Sequence, residues 1–244
     1  MGDTETDLLM GVDAGDPFAQ LSYGYLHIVG DPGLNIPRDY AKARQLMTLA
    51  AKNGLPEALT YLGWMHQQEA LRGTGGEEED DWAEDDGHLG RASAEDPARS
   101  LAQAVAYYRQ AGKAGDPTGW SHLGELYLMG VLDAKGRPRS KEEREEAEDR
   151  DDDIAVMARA AKAFRRALDE GAAVGAPQPS AAYNLGHMAM TGMGLESNIT
   201  YAIELYEKSA RDGGYDAVLA LAGLRHHGDP GDRWAAKAGE MLPP

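Results

Sequence analysis

Cysteine is absent from the 244 residues, and phenylalanine occurs only twice. The lack of cysteine excludes disulfides, zinc–thiolate sites and a cysteine nucleophile. A β-sandwich would need more aromatic and β-branched residues than this glycine- and alanine-rich chain provides. Small residues suit close helix packing, so the composition predicts an all-α protein.

An excess of basic residues is also lacking, because the chain has 41 acidic residues and only 24 basic ones, and its net charge is −17. Residues 77–86 hold 8 of the acids, and residues 141–153 hold 9 acids with 3 bases, so the rest of the chain is nearly neutral. Nucleic acid requires a basic footprint, which excludes it as a partner. Runs of one charge are typical of solvated segments, and a basic protein is the partner they would favour.

Long apolar runs are missing as well, since none approaches the ~20 residues of a spanning helix. The N-terminal MGDTETDLLM has neither the basic nor the apolar region of a signal peptide. We therefore expect a soluble intracellular chain, in the cytoplasm or an organelle lumen, with no membrane insertion.

What the sequence does contain is a repeat. A small residue, an apolar residue four positions later and then glycine recur five times, and the spacing Ala-x6-Ala/Ser-x3-Gly recurs four times. Steps between the first pattern's glycines are 39, 61, 62 and 37 residues, so two units carry insertions of about 23 residues at the acidic segments. The glycines of the first pattern are Gly24, Gly63, Gly124, Gly186 and Gly223; those of the second are Gly54, Gly115, Gly171 and Gly213.

Each repeat is predicted to form two helices. The first pattern predicts a helix whose central glycine lets a neighbour approach closely. The second predicts an amphipathic helix that ends at its glycine as a left-handed C′ residue. Asp16-Pro17 and Asp116-Pro117 are expected to open the following helices as N-cap and first-turn proline. Such pairs bury their apolar faces only by stacking.

The two insertions differ. Residues 67–95 carry no sustained period and predict a loop. Residues 140–170 begin with a capping box, Ser140 and Glu143, and continue an apolar stripe, which predicts one long helix with an acidic first half.

These residues resemble the Sel-1-like repeat, a relative of the tetratricopeptide repeat, with the approximate pattern A-x-x-x-L-G-x-x-Y. Tyr127 matches the family tyrosine, and His27, His66 and His226 replace it. The resemblance implies a right-handed α-α superhelix, a solenoid of about four and a half helix pairs with two acidic insertions. The expected single solenoid spans 1–244: a capping helix (1–15), repeat 1 (16–54), repeat 2 (55–115, insertion 67–95), repeat 3 (116–171, insertion 133–153), repeat 4 (177–213) and a truncated repeat 5 (215–241).

Catalytic motifs are absent from the sequence: there is no P-loop, G-x-S-x-G elbow or H-E-x-x-H. His226-His227 suggests a metal ligand pair, but three histidines occupy the tyrosine position of the repeat, which packing explains. We therefore expect no catalytic residues, no metal and no cofactor.

Binding is the function that the resemblance implies, with the first helix of each pair lining a concave face. The most informative positions on that face are Tyr25, Ile28, Thr60, Trp64, Gln67, Thr118, Ser121, Glu125, Tyr183, His187 and His227. The leading hypothesis is a non-enzymatic adaptor or scaffold for a peptide or partner domain. The alternative is an accessory subunit of a large assembly, held through its convex face and insertions. A hydrolase is a third, weaker hypothesis.

Overall fold

The computed structural model describes residues 4–72, 96–140, 143–144 and 150–224. These ranges contain ten helices and two isolated β-bridges but no β-strand, which confirms the predicted all-α class. In chain order the helices are α1 (Thr4–Asp13), α2 (Pro17–Val29), α3 (Tyr40–Lys52), α4 (Pro56–Arg72), α5 (Pro97–Ala114), α6 (Thr118–Leu128), α7 (Arg150–Val174), α8 (Pro179–Thr191), α9 (Ile199–Arg211) and α10 (Tyr215–Gly223).

The helices form two compact units, which divide between Asp116 and Pro117. In unit 1, each helix from α1 to α5 packs against the next one along the chain. In unit 2, the helices from α6 to α10 follow the same rule. Each unit is therefore a row of helices joined in sequence order, as helical repeats require. The division of residues 1–244 into the repeats of one solenoid stays a prediction.

Several predicted helix ends are confirmed. The Asp16 carboxylate accepts a hydrogen bond from the backbone N–H of Phe18 at 2.9 Å, and Pro17 is the first residue of α2. Gly54, Gly115 and Gly213 have φ values of 90°, 105° and 94°, the left-handed conformation expected of a C′ glycine. Tight turns at these glycines therefore join the second helix of one pair to the first helix of the next.

Two other predicted helix ends are wrong. Pro117, and not Asp116, occupies the N-cap position of α6, and the buried Asp116 carboxylate accepts a hydrogen bond from Thr60 Oγ1. Gly171 lies inside α7, which continues to Val174, and Gly175 is the left-handed residue with a φ of 70°. A Cβ at position 171 would lie 2.5 Å from the Ala176 carbonyl oxygen, so close approach of the returning chain explains that glycine.

The insertions are described only in part. The capping box is confirmed: the Ser140 N–H donates to Glu143 Oε2 at 2.7 Å, and the Glu143 N–H donates to Ser140 Oγ at 3.1 Å. Residues 145–149 lie outside the described residues, so a single helix over 140–170 stays a prediction. Residues 67–72, predicted as the start of a loop, instead extend α4. This extension is helical because Gln67 and Ala70 are buried within the unit.

Three further segments lie outside the described residues: the first three residues of the predicted capping helix, most of the predicted loop (73–95), and residues 225–244, which include the end of the predicted repeat 5. Helix α1, the predicted cap, begins at Thr4 and packs against α2.

The central glycine of the first helix receives a side chain of the second helix, which explains the repeat. A Cβ added at Gly63 would lie 2.7 Å from the Tyr108 ring, and one added at Gly124 would lie 2.7 Å from the Phe164 ring. Both rings are fully buried. Predicted close approach at these glycines is therefore confirmed, and the partner in each pair is an aromatic ring.

Candidate protein-interaction surfaces

The predicted binding face of unit 1 carries aromatic side chains. Tyr25 on α2 is 45% exposed, and its ring meets that of Tyr61 on α4 edge to face, with centroids 5.8 Å apart. Half-buried Trp64 and Tyr61 pack against the same core cluster of α2, α3 and α4 side chains. We call Tyr25, Tyr61 and Trp64 the aromatic face. Large, partly exposed rings held by a rigid scaffold are typical anchors of protein interfaces.

Tyr61 was not singled out from the sequence, yet it links the two predicted aromatic residues. Burial raises the pKa of the Tyr61 hydroxyl, and the nearby Tyr25 and Asp116 raise it further. The Tyr61 hydroxyl is therefore neutral at physiological pH and can donate a hydrogen bond. Its position two residues before Gly63 placed it outside the spacing that defined the predicted face.

Four other predicted binding residues are buried. Gln67 Oε1 accepts a hydrogen bond from the Tyr108 hydroxyl at 2.6 Å, and Ser121 Oγ donates to Gln178 Oε1 at 2.8 Å. Buried Thr60 bonds Asp116, and Ile28 belongs to the core cluster beneath Trp64. The buried predicted residues are Ile28, Thr60, Gln67 and Ser121. Their contacts tie helices together, so their role in the structure is packing.

The predicted binding residues of unit 2 differ from one another in exposure. Thr118, Glu125 and Tyr183 are half-buried, His187 is exposed, and His227 lies outside the described residues. Glu125 Oε2 lies 2.9 Å from His122 Nδ1, one helical turn away. The ring of Tyr183 lies 5.7 Å from that of Tyr206, and burial, with Tyr183 adding to it, raises the pKa of Tyr206 to about 12.

The tyrosine position of the repeat is a packing position, as predicted. His27, His66 and Tyr127 are all buried there. His27 packs edge to face on Tyr23, with ring centroids 4.7 Å apart, and its Nδ1 lies 3.1 Å from the Pro37 carbonyl oxygen. Among the described residues, no group of three or more His, Asp or Glu side chains could hold a metal ion. His226 lies outside the described residues.

A polar cavity of about 530 Å³ is a further feature of unit 1. It opens between side chains of α3, α4 and α5, and no sequence pattern pointed to it. The residues that line it are Arg44, His66, Arg99, Gln103, Ala106, Tyr107 and Gln110. The lining is therefore rich in hydrogen-bond donors and carries two guanidinium groups.

Comparison with protein families identifies the repeat. Residues 17–55, 95–116 and 179–214 match the model of the Sel1 repeat. These three stretches are similar to the Sel1 repeat. The matched Sel1 stretches include α2 with α3 and α8 with α9, whereas the first and second insertions lie mainly or wholly in unmatched parts of the chain. Sel1 repeat proteins are generally protein-interaction scaffolds, and their fold is generally non-catalytic.

Solved structures show the same fold. One is a protective antigen of uropathogenic Escherichia coli strains displaying an SLR fold, with a TM-score of 0.63, 20% identity and 98% of this chain covered. The chain spans 41% of the length of that antigen. Another is a Sel1 repeat protein from Oxalobacter formigenes, with a TM-score of 0.58, 20% identity, and 98% and 79% of the two chains covered. The comparison with curated proteins found no match.

One set of packing residues was not predicted from the sequence. For the first four central glycines, the side chain that meets the glycine lies four residues after the first alanine of the second pattern. The four positions are Met47, Tyr108, Phe164 and Tyr206. Their spacing is as regular as that of the alanines, but it is not apparent in the sequence because methionine, tyrosine and phenylalanine alternate at these positions.

None of the helices described is long and apolar enough to cross a membrane.

Proposed function

We propose that this chain is a non-enzymatic adaptor that binds a peptide or partner domain through the first helices of its Sel1 repeats. The aromatic face of unit 1 anchors the partner. The supporting observation is the edge-to-face pair of exposed Tyr25 and half-buried Tyr61 on neighbouring repeats, with Trp64 packed against the same core cluster as Tyr61. Rings with few rotatable bonds contribute contact area at a small entropic cost.

The partner would use a flat apolar or cationic group at this face. Aromatic rings attract guanidinium and ammonium groups, and Tyr hydroxyls add hydrogen bonds. The acidic composition of the chain, with a net charge of −17, raises the encounter rate with a basic protein. A basic protein or peptide with an aromatic or arginine anchor is therefore the proposed partner class.

The test is affinity capture with the double substitution Tyr25→Ala and Trp64→Ala. Each anchor that is truncated in a well-packed interface costs about 2 kcal/mol or more, so partner capture should fall at least roughly tenfold. Circular dichroism and thermal unfolding establish that the variant retains its helices.

Leu49→Ala is the matched control, because Leu49 is 44% exposed in the same unit but lies on α3, the second helix of its pair. It should capture partners as the unchanged chain does. Equal capture by the double variant and the Leu49→Ala control would refute the aromatic face as the anchor.

A further inference from the structure

A histidine ring at the polar cavity of unit 1 lies between groups of opposite charge. His66 on α4 is buried, and it lines the cavity together with Arg44 of α3 and Tyr107 of α5. Its Nε2 lies 3.3 Å from one terminal nitrogen of Arg44, and its Nδ1 lies 3.1 Å from Glu69 Oε2. The other terminal nitrogen of Arg44 donates a hydrogen bond to Glu69 Oε1. We call Arg44, His66 and Glu69 the Arg–His–Glu cluster.

The contact with Arg44 determines which nitrogen of the His66 ring carries the hydrogen. A guanidinium group stays protonated in proteins and has only donors, so His66 Nε2 must be the acceptor of this hydrogen bond. A neutral imidazole has one acceptor nitrogen and one donor nitrogen, so its hydrogen is on Nδ1, next to Glu69 Oε2. The geometry therefore corresponds to a neutral ring in the Nδ1–H tautomer.

The position of the cluster connects consecutive helix pairs. Arg44 lies on α3, the second helix of one pair, whereas His66 and Glu69 lie on α4, the first helix of the next. The His66 ring also stacks on Tyr107 of α5, with centroids 5.5 Å apart and an angle of 11° between the planes. Tyr107 packs against the same core cluster as Trp64 of the aromatic face. A change in the charge of His66 therefore acts on three helices at once.

A second proton on the ring would reverse its contact with Arg44. Histidine is the side chain that gains charge in mildly acidic solution, and both nitrogens of the imidazolium ion are donors. Nε2 then no longer accepts a hydrogen bond from Arg44, and two positive charges lie side by side, with Glu69 as their shared acceptor. The charged or titratable groups that contact the ring or line the cavity with it are Arg44, Glu69, Arg99 and Tyr107.

We propose that the Arg–His–Glu cluster is an acid-sensitive link between consecutive helix pairs of unit 1. While the ring is neutral, Arg44 contacts α4 through both His66 Nε2 and Glu69. When Nε2 takes up a proton from the solvent, the hydrogen bond from Arg44 to the ring breaks, and Arg44 retains only the contact with Glu69. This proposal does not depend on the adaptor proposal, because it concerns contacts within the chain.

The first experiment determines the tautomer by long-range ¹H–¹⁵N NMR of the full-length chain at about pH 8, above the ordinary pKa of histidine. The variant His66→Phe assigns the His66 signals by their loss. We expect a protonated Nδ1 and an unprotonated Nε2. Arg44→Met removes the donor and should abolish this preference, whereas Lys52→Met, which removes an exposed cation from the same helix, should preserve it. An Nε2–H ring in the unchanged chain, or an unchanged tautomer in Arg44→Met, would overturn the proposal.

The second experiment measures the response to acid by a double-mutant cycle of Arg44→Met and His66→Phe, from urea unfolding at about pH 8 and about pH 5. At the higher pH the coupling should favour folding roughly tenfold, as expected of a hydrogen bond to a charged group. At the lower pH it should vanish or change sign. The control cycle of Lys52→Met and His66→Phe should show no coupling at either pH. Equal coupling of Arg44 and His66 at both pH values, or the same pH response in the control cycle, would contradict the proposal.

Discussion

The α4/α5 pair of unit 1 and the α6/α7 pair of unit 2 use the same packing with different polarity. In both pairs the ring of the second helix covers the central glycine of the first, at 2.7 Å from an added Cβ. In α4/α5 the ring is Tyr108, whose hydroxyl donates to Gln67, four residues after Gly63. In α6/α7 the ring is Phe164, and the position four residues after the glycine is Leu128, which has no polar group.

This difference indicates that the two pairs share the shape of the contact between ring and glycine but not its polarity. In α4/α5 the buried Tyr108 hydroxyl occurs together with an acceptor, Gln67, whereas the Phe164 ring of α6/α7 has no hydroxyl that needs one. A buried polar group without a partner costs about 1–3 kcal/mol, which explains the pairing. The following changes test the comparison, from the largest expected effect to the smallest.

Removing the ring should have the largest effect and should be similar in both units. Phe164→Ala and Tyr108→Ala each leave a cavity at a fully buried site, and each should lower the free energy of unfolding by about 3–5 kcal/mol. Urea unfolding followed by circular dichroism measures both. A cost below about 1 kcal/mol in either variant would show that the ring does not hold its pair together.

Filling the glycine should have the next largest effect. Gly63→Ala and Gly124→Ala force a methyl group against a ring, at an expected cost of about 1–3 kcal/mol despite the better helix propensity of alanine. Gly24→Ala is the control, because the nearest atom, 3.1 Å away, is the flexible terminal methyl of Met47. Thermal unfolding should therefore rank Gly24→Ala as the mildest change, and the reverse order would contradict the packing account.

Exchanging polarity should have a smaller effect. Tyr108→Phe removes the hydrogen bond to Gln67 and should cost about 0.5–1.5 kcal/mol. The double substitution Tyr108→Phe with Gln67→Leu reproduces the apolar pair of unit 2 and should recover part of that loss. A double-mutant cycle from urea unfolding gives the coupling free energy. Additive effects of the two substitutions would show that the residues are not coupled.

The smallest expected effect is a difference between the two units in how much mild acid lowers their stability. Burial lowers the pKa of His27, Lys42 lowers it further, and the Pro37 carbonyl and Asp39 act against this. Because the folded state disfavours the proton, the contribution of His27 is complete above the unfolded pKa of about 6.5 and is lost as the pH falls toward the folded value. Unit 2 has Tyr127 in place of a histidine at this position.

The variant His27→Tyr introduces the residue of unit 2 into unit 1. Its free energy of unfolding should fall less between neutral and mildly acid pH than that of the unchanged chain. Tyr127→Phe is the control and should leave the pH profile unchanged. Identical profiles for the unchanged chain and His27→Tyr would show that His27 does not contribute to the acid sensitivity.

Much of the fold could be predicted from the spacing of small residues. Local sequence determines where α2, α3, α5, α8 and α9 lie, because glycine turns and the Asp16 cap act over a few residues. Gly171 and Asp116 were misassigned since a motif alone does not reveal a helix that continues past its usual end or a carboxylate bound by a distant hydroxyl. Thr60 and Asp116 are 56 residues apart in sequence, beyond the reach of any local pattern.

The binding surfaces were less predictable than the fold. Helical spacing placed Tyr25 and Trp64 on one face, but it placed Thr60, Gln67 and Ser121 there too, although all three are buried. Tyr61 and the polar cavity were missed because their significance depends on neighbours from other helices. A residue's spacing determines its direction on its own helix, whereas its exposure depends on what packs over it.

The sequence by itself determined that the chain forms helix pairs that are similar to Sel1 repeats in their spacing, because glycine and alanine at fixed intervals favour close helix–helix contact. The tertiary structure decided which side chains remain available to a partner. It buried Gln67 against Tyr108 and left Tyr25 exposed, and it brought Arg44, His66 and Arg99 around one cavity. Burial and charge proximity arise only when helices distant in sequence pack together, so local patterns cannot specify them.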